Sequence, residues 1–323
     1  MKTLLLSLAL VTPALAQTAP GTTAPTPNPS PATFDWKLRL TKGQTWTQTF
    51  EARGTMTQVS PPSQRWGRTN ARFHLQQTLT LHNEVLFANP DFLVLRATFT
   101  RFDQTTSMNF EGHDQQTPDR SKFTRAFVGV PFKIKRALDG RVLAVSGLEP
   151  LVAGGQKSLD ALAKSKEERD KLQRFLPDVD SLRGMLEGYL SFPFPASRFE
   201  VGASRVYDFE AYPSFTLADK IKVKRTLGLF DGQVARLSER GTFKVSKVQI
   251  EPEDHSQTFI SSTGTLSGQT IVSASTGLPH SEVAILINNK ISNVRRTTLV
   301  SHEDVHIIVS MNLEEVQAKN GDF

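Results

Sequence analysis

Ile221-Lys222-Val223-Lys224-Arg225-Thr226-Leu227-Gly228-Leu229-Phe230-Asp231-Gly232-Gln233-Val234-Ala235-Arg236-Leu237 decides the fold. Apolar and polar residues alternate on both sides of Asp231-Gly232. Such alternation marks a half-buried strand, because successive side chains point to opposite faces of a sheet. An Asp-Gly pair between two such runs tolerates the positive φ angles of a tight turn. The stretch therefore reads as a β-hairpin, with Ile221 and Val223 on one face and Lys220, Lys222 and Lys224 on the other. The lysine row reads as a solvated face that discourages edge-to-edge pairing.

The same pattern extends in both directions. Further strands are expected at 241–250, 256–264, 268–275, 280–288, 293–301 and 304–312. Towards the N-terminus, Trp36-Lys37-Leu38-Arg39-Leu40 alternates, as do 73–75, 79–81 and 132–135, and 92–99 is rich in Leu, Val and Phe. Leu138-Asp139-Gly140-Arg141 predicts a second hairpin, of type I′. The stretches 60–63 and 113–120 have the composition of loops.

Only the middle of the chain departs from this pattern. Residues 158–175 are dominated by strong helix formers. A second helix follows, capped by Asp178 or Asp180, with Val179, Leu182, Met185, Leu186, Tyr189 and Leu190 along one stripe. Phe192-Pro193-Phe194-Pro195 ends it, since proline cannot continue a helix. The stripe is expected to pack on a sheet.

Residues 1–16 read as a signal peptide: Lys2, an apolar run from Leu4 to Val11, and Ala14-Leu15-Ala16 as the cleavage site. Residues 17–33 hold five prolines and five threonines without apolar periodicity, which predicts a disordered tether. The expected organisation is then a first β unit at 34–146, a helical segment at 147–195 and a second β unit at 196–323. The fold class is mainly β (α+β), two related antiparallel β units with a two-helix insertion between them.

The relation between the units rests on three matches in the same order. Residues 43–52 align with 202–211, sharing Gly43 with Gly202 and a Phe-Glu-Ala that begins at Phe50 and Phe209. Thr78-Leu79-Thr80-Leu81 aligns with Thr226-Leu227-Gly228-Leu229, and Ile134, Ala137 and Gly140 with Ile271, Ala274 and Gly277. Together they read as an internal repeat. The competing explanation is convergence among alternating β sequences, which reuse Thr, Leu and Gly.

Composition narrows the function classes. The 323 residues contain no cysteine, which excludes disulfides, thiol nucleophiles and thiolate metal sites. The net charge of +6 is mild and dispersed, so nucleic acid is not an expected partner. Phe is abundant, 21 residues against 3 Trp and 3 Tyr, which favours a large apolar interior over a sugar-binding surface.

One catalytic pattern occurs. His302-Glu303-Asp304-Val305-His306 satisfies H-E-x-x-H, which binds zinc only when a helix brings both histidines onto one face one turn apart. Its flanks are β-branched, and in a strand the two histidines would stand about 13 Å apart. His74, His82, His113, His255 and His280 show no ligand spacing, and Asp254-His255-Ser256 reads as a loop rather than a triad. Gly154-Gly155-Gln156-Lys157-Ser158 lacks the phosphate-loop pattern and reads as the cap of the following helix. No residue is assigned as catalytic, cofactor-binding or metal-binding, no cofactor is expected, and the binding residues are left open.

Taken together, Lys42-Gly43-Gln44-Thr45, then Leu138-Asp139-Gly140-Arg141-Val142 with Ser146-Gly147-Leu148, and Phe192-Pro193-Phe194-Pro195 followed by Glu200-Val201-Gly202, resemble an exported bacterial β-rich family of unknown function. Leu266-Ser267-Gly268 leading to Ser275-Thr276-Gly277-Leu278 fits the same pattern, whereas Arg205 stands where that family carries tryptophan. The resemblance implies an exported β-rich protein and transfers no catalytic residue. A more distant fold-level analogy is to bacterial lipoprotein and lipid carriers, whose curved sheet wraps apolar ligands.

The expected function is that of a non-enzymatic protein of the cell envelope, periplasmic or extracellular, soluble and without a lipid anchor or transmembrane segment. It would bind a lipid-like, apolar or amphipathic ligand between sheet and helices. The alternatives are an envelope adaptor binding other proteins and, third, a hydrolase.

Overall fold

The computed structural model describes residues 32–60, 69–110, 113–116, 124–173, 176–191, 193, 197–209, 221–250, 257–293 and 298–313. The expected signal peptide, nearly all of the tether, Lys220 and Asp254-His255-Ser256 lie outside the described residues. In chain order the strands before the helices are β1 (Thr33–Asp35), β2 (Thr45–Ser60), β3 (Thr69–Ala88), β4 (Phe92–Phe110), β5 (His113–Gln116), β6 (Pro131–Ala137) and β7 (Val142–Ser146). Three helices follow, α1 (Glu149–Leu162), α2 (Lys166–Gln173) and α3 (Val179–Ser191). The remaining strands are β8 (Arg198–Glu200), β9 (Ser204–Phe209), β10 (Ile221–Phe230), β11 (Val234–Ile250), β12 (Gln257–Ser273), β13 (Pro279–Asn293) and β14 (Thr298–Leu313).

One antiparallel sheet runs β7-β6-β4-β3-β2-β14-β13-β12-β11-β10-β9, with β5 beside β4, while β1 pairs separately with β8. The two β units are thus halves of one sheet, joined where β2 pairs with β14, Phe50 opposite Val309. Alternation decides the faces. On β14, Val305, Ile307, Val309 and Met311 are buried, His306, Ile308 and Ser310 between them are half-buried, and Asp304 and Asn312 at either end are exposed. The apolar face of both halves lines a single hydrophobic core.

Several expectations need correction. Strands foreseen as separate pieces at 256–264 and 268–275 are one strand, β12. Gly264 and Gly268 are not turns but places where neighbours press on the backbone. A Cβ on Gly268 would lie 2.7 Å from the Glu282 carbonyl oxygen, and one on Gly264 2.4 Å from the Phe243 ring. Likewise the three strands expected at 280–288, 293–301 and 304–312 are two, β13 ending at Asn293 and β14 running from Thr298 to Leu313. Residues 36–40 alternate as foreseen, with Trp36, Leu38 and Leu40 buried, yet join no ladder. They form a strap whose backbone N–H groups reach Ser197, Leu138 and Thr276 in turn.

Among the described residues the helical segment holds three helices, where two were expected. Pro150 starts α1 well before the expected position, so Gly154 and Gly155 lie inside a helix rather than capping one. Gly155 is there for packing: a Cβ would stand 2.5 Å from Leu176 and 3.2 Å from Phe127. Ser165 then accepts the Glu168 N–H and Glu168 accepts the Lys164 N–H, a capping arrangement that separates α2 from α1. The lysine row is solvated, with Lys222 and Lys224 exposed opposite buried Val223, but β10 is no edge strand because β9 lies beyond it.

The halves repeat a local geometry. Gly43 and Gly202 both have φ of 86°. Gly43 N–H donates to Val85 and Val85 N–H to Gln44; Gly202 N–H donates to Leu227 and Leu227 N–H to Ala203. Asn89 and Asp231 each accept the backbone N–H groups two and three residues on. A register shift follows Val85 in one half and Leu227 in the other. Leu227 therefore corresponds in position to Val85, not to Leu79 as the sequence match has it. Gly140 and Gly277 do share positive φ, but the second turn is one residue longer: Gly140 N–H bonds Ala137, and Gly277 N–H bonds Ser273. In the first hairpin the left-handed residue comes third, as in three-residue turns rather than type I′.

Candidate binding face

The inner face of the sheet begins as alternating apolar residues and is covered in part by α3. Leu182, Leu186, Tyr189 and Leu190 are buried along the expected stripe. Asp178 caps this helix, accepting the Ser181 N–H at 2.7 Å, and that bond holds its carboxyl below the ordinary range. The Tyr189 ring lies 4.8 Å from that of Phe50, and its hydroxyl donates to Gln77 Oε1 at 2.8 Å. Beside it, Phe99, Phe102, Phe127 and Phe132 stack at 5.2–5.6 Å, so much of the phenylalanine excess is core.

A charged network is buried in the second half. Arg225 Nε donates to Glu239 Oε1 at 2.8 Å, with both side chains at most 1% exposed. Thr270 Oγ1 donates to the same carboxylate oxygen at 2.9 Å. The guanidinium lies between the Trp36 ring at 4.7 Å and the Tyr207 ring at 4.2 Å, and also donates to the Tyr207 hydroxyl and the Pro193 carbonyl. Burial opposes its charge, but Glu239 and Tyr207 outweigh that and raise its pKa. Burial likewise pushes the Tyr207 phenol far above its ordinary value. Arg225 thus pins the strap and the chain after α3 to the sheet. Arg136 is also buried, donates to Gly140, and is pulled down to about 10 by desolvation.

Among the described residues, the polar atoms on buried side chains without a hydrogen-bond partner include Trp46 Nε1, Gln48 Oε1, Asn83 Oδ1, Glu239 Oε2 and Ser262 Oγ. Each such group costs roughly 1–3 kcal/mol when left unsatisfied, and buried polar groups are as a rule bonded.

The opposite face is polar and bears shallow grooves. One, of about 440 Å³, runs along Arg53, His74, Gln76, Thr105, Asp304 and His306. Another, of about 390 Å³, runs along Ser238, Arg240, Gln269, Glu282 and His306. His302 and His306 lie on strand β14, facing this side, each with its own partner: Asn288 Oδ1 at 2.7 Å and Glu282 Oε1 at 3.1 Å. The helix that zinc binding by H-E-x-x-H needs is absent there. His74 and His280 are exposed on other strands, and His280 meets Ser310 at 2.8 Å. Among the described residues, no group of three or more His, Asp or Glu is placed to hold a metal.

Alternation carries a signal for the buried polar residues. Arg225 falls between Val223 and Leu227, Gln48 between Trp46 and Phe50, and Asn83 between Leu81 and Val85, each in the apolar phase of its strand.

These features define a class: an open antiparallel sheet with one apolar face under a helical cover. Residues 92–279 match the sequence model of a family of unknown function, DUF6263, and the chain belongs to that family. No curated protein matches it. Among solved structures it is similar to lipovitellin, from work on lipid–protein interactions, at 8% identity and a TM-score of 0.41, covering 88% of this chain and 27% of that one. The chain thus spans about a quarter of lipovitellin's length. It also matches OccK7 (OpdD) of Pseudomonas aeruginosa at 7% identity and TM-score 0.22, over 84% of this chain and all of that one. An outer membrane channel of Pseudomonas putida F1 follows at 5% identity and TM-score 0.18, over 86% and 98%. Among the described residues no helix is long and apolar enough to cross a membrane.

Proposed function

We propose that the protein is a non-enzymatic, exported binder of an apolar or amphipathic small molecule, held between the inner face of the sheet and the helices. The observation that carries this reading is the set of polar side-chain atoms that, among the described residues, are buried without partners on the inner face. A purely structural core loses stability at each of them, and replacing them by apolar residues would remove the loss. A face that must meet a molecule with both a greasy body and a polar part requires them. The test is mass spectrometry of organic extracts from protein purified natively from its own envelope. A stoichiometric amphiphile is the expected finding. Extracts no richer than those of an unrelated exported control overturn the proposal.

A second reading, an envelope adaptor, is favoured by the open sheet: β9 ends it, and Val206 is 66% exposed there. It requires a stoichiometric protein partner that Val206→Asp releases, together with empty extracts.

A further inference from the structure

Three of the unpartnered polar atoms lie together. Trp46 and Gln48 are two residues apart on β2 and therefore share its inner face, and Asn83 of β3 stands directly opposite Trp46. Opposed residues in an antiparallel pair are roughly 5 Å apart at Cα, and neighbours on one strand face roughly 7 Å. Each of the three side chains is 1% exposed. Trp46 Nε1 brings an unused donor, and Gln48 Oε1 and Asn83 Oδ1 bring unused acceptors. The amide nitrogen of Asn83 turns back to the Leu81 carbonyl at 3.5 Å, while its oxygen has no partner.

Their neighbours along the ladders carry no charge. Across the ladders, the inner-face row through Trp46 reads Leu313, Trp46, Asn83, Ala97 and Phe132. The row through Gln48 reads Met311, Gln48, Leu81 and Phe99. A carboxylate, phosphate or ammonium placed here would be buried without a counter-ion, an arrangement proteins avoid. A hydroxyl suits the site, because it accepts from Trp46 and donates to one of the two carbonyl oxygens. Two adjacent hydroxyls satisfy all three atoms. The row also reaches the surface: Leu313, next to Trp46, is 45% exposed.

We infer that Trp46, Gln48 and Asn83 form the head-group subsite of the bound amphiphile and select a neutral, glycerol-like hydroxyl head over a charged one. The inference rests on the small-molecule reading above. The test uses delipidated full-length mature protein and calorimetric titration with 1-dodecylglycerol, dodecanoate and dodecyltrimethylammonium, which share one tail. The glycerol ether should bind at least about tenfold more tightly than either charged amphiphile, since a site built for hydroxyls discriminates strongly. In the double variant Gln48→Met, Asn83→Leu the preference should fall to within about threefold, because the acceptors are gone. That variant replaces unpartnered polar groups by apolar ones of similar size, so the ligand-free protein should melt no lower than the wild type. A variant that does not fold is replaced by Trp46→Phe, which removes the donor together with part of the ring and should also weaken the preference. Dodecanoate binding as tightly as the glycerol ether, or a preference that survives the substitutions, overturns the subsite while leaving the small-molecule reading standing. Failure of all three amphiphiles to bind overturns both.

Discussion

Arg225 sits where alternation assigns an apolar side chain, and its environment supplies what burial takes away: a carboxylate, a hydroxyl, a carbonyl and two aromatic faces. Breaking such a pair from one side leaves the other charge buried. Arg225→Met should therefore cost about 3–5 kcal/mol in urea unfolding. The double variant Arg225→Met, Glu239→Leu should recover much of that loss, because it also removes the stranded carboxylate. If the double variant is as unstable as the single, the network is not what holds the strap. At the other end of the strap, Gly277 has φ of 75°, and a Cβ there would come within 1.9 Å of the Lys37 carbonyl oxygen. Gly277→Ala should cost about 2–4 kcal/mol by the same measurement. At this scale the sequence was only partly legible. The period of two set Val223 opposite the lysine row, and it is buried. The polar residues in the same phase passed unread, because nothing in one strand says which partner strand will meet it.

The elements were legible wherever local chemistry ends them. The Asp231-Gly232 turn and the Asp178 cap are made by short side chains that bond their own backbone, and both follow from the residues concerned. The length of β12 was not legible, because the glycines within it, Gly264 and Gly268, fit a turn as readily as a close cross-strand approach. The caps carry a consequence for pH. Bonds from Ser181 to Asp178, and from Val234 and Gln233 to Asp231, hold both carboxyls below their ordinary values. Folding then favours their ionised forms, so the stability they add is present above the ordinary carboxylate value of about 3.9 and is lost as pH falls through the lower folded values. Asp178→Ala and Asp231→Asn should each flatten the fall in melting temperature between neutral and acid pH. An unchanged slope would show that these bonds do not form in solution. On α3 itself, Leu186→Ala opens a cavity under the helix and should cost about 2–5 kcal/mol, read by chemical denaturation.

For the whole molecule, the deciding contact is the ladder between β2 and β14, which brings Trp46 opposite Leu313 at nearly the full length of the chain. Nothing in either strand's own sequence announces that pairing, so the two β units could be read but not their union into one sheet. The union has a mechanical consequence. The inner face of each half continues the other's, in the order Phe50, Val309, Ser281, Thr270 and Leu237 across five strands. Unfolding one half would strip the other of its central neighbour and expose Val305, Ile307 and Val309 to water. The halves should therefore unfold in one transition despite the chain's length, which exceeds the range where two-state behaviour is the rule. Tryptophan gives a probe in each: Trp46 lies in the first half, and Trp36 stacks on Arg225 of the second. With Trp66→Phe as background, proteins retaining only Trp36 or only Trp46 should give coincident urea midpoints once corrected for each variant's own stability by circular dichroism. Two separated fluorescence transitions within one variant's dichroism curve would show instead that the β2–β14 seam is weak and that each half is a cooperative unit of its own.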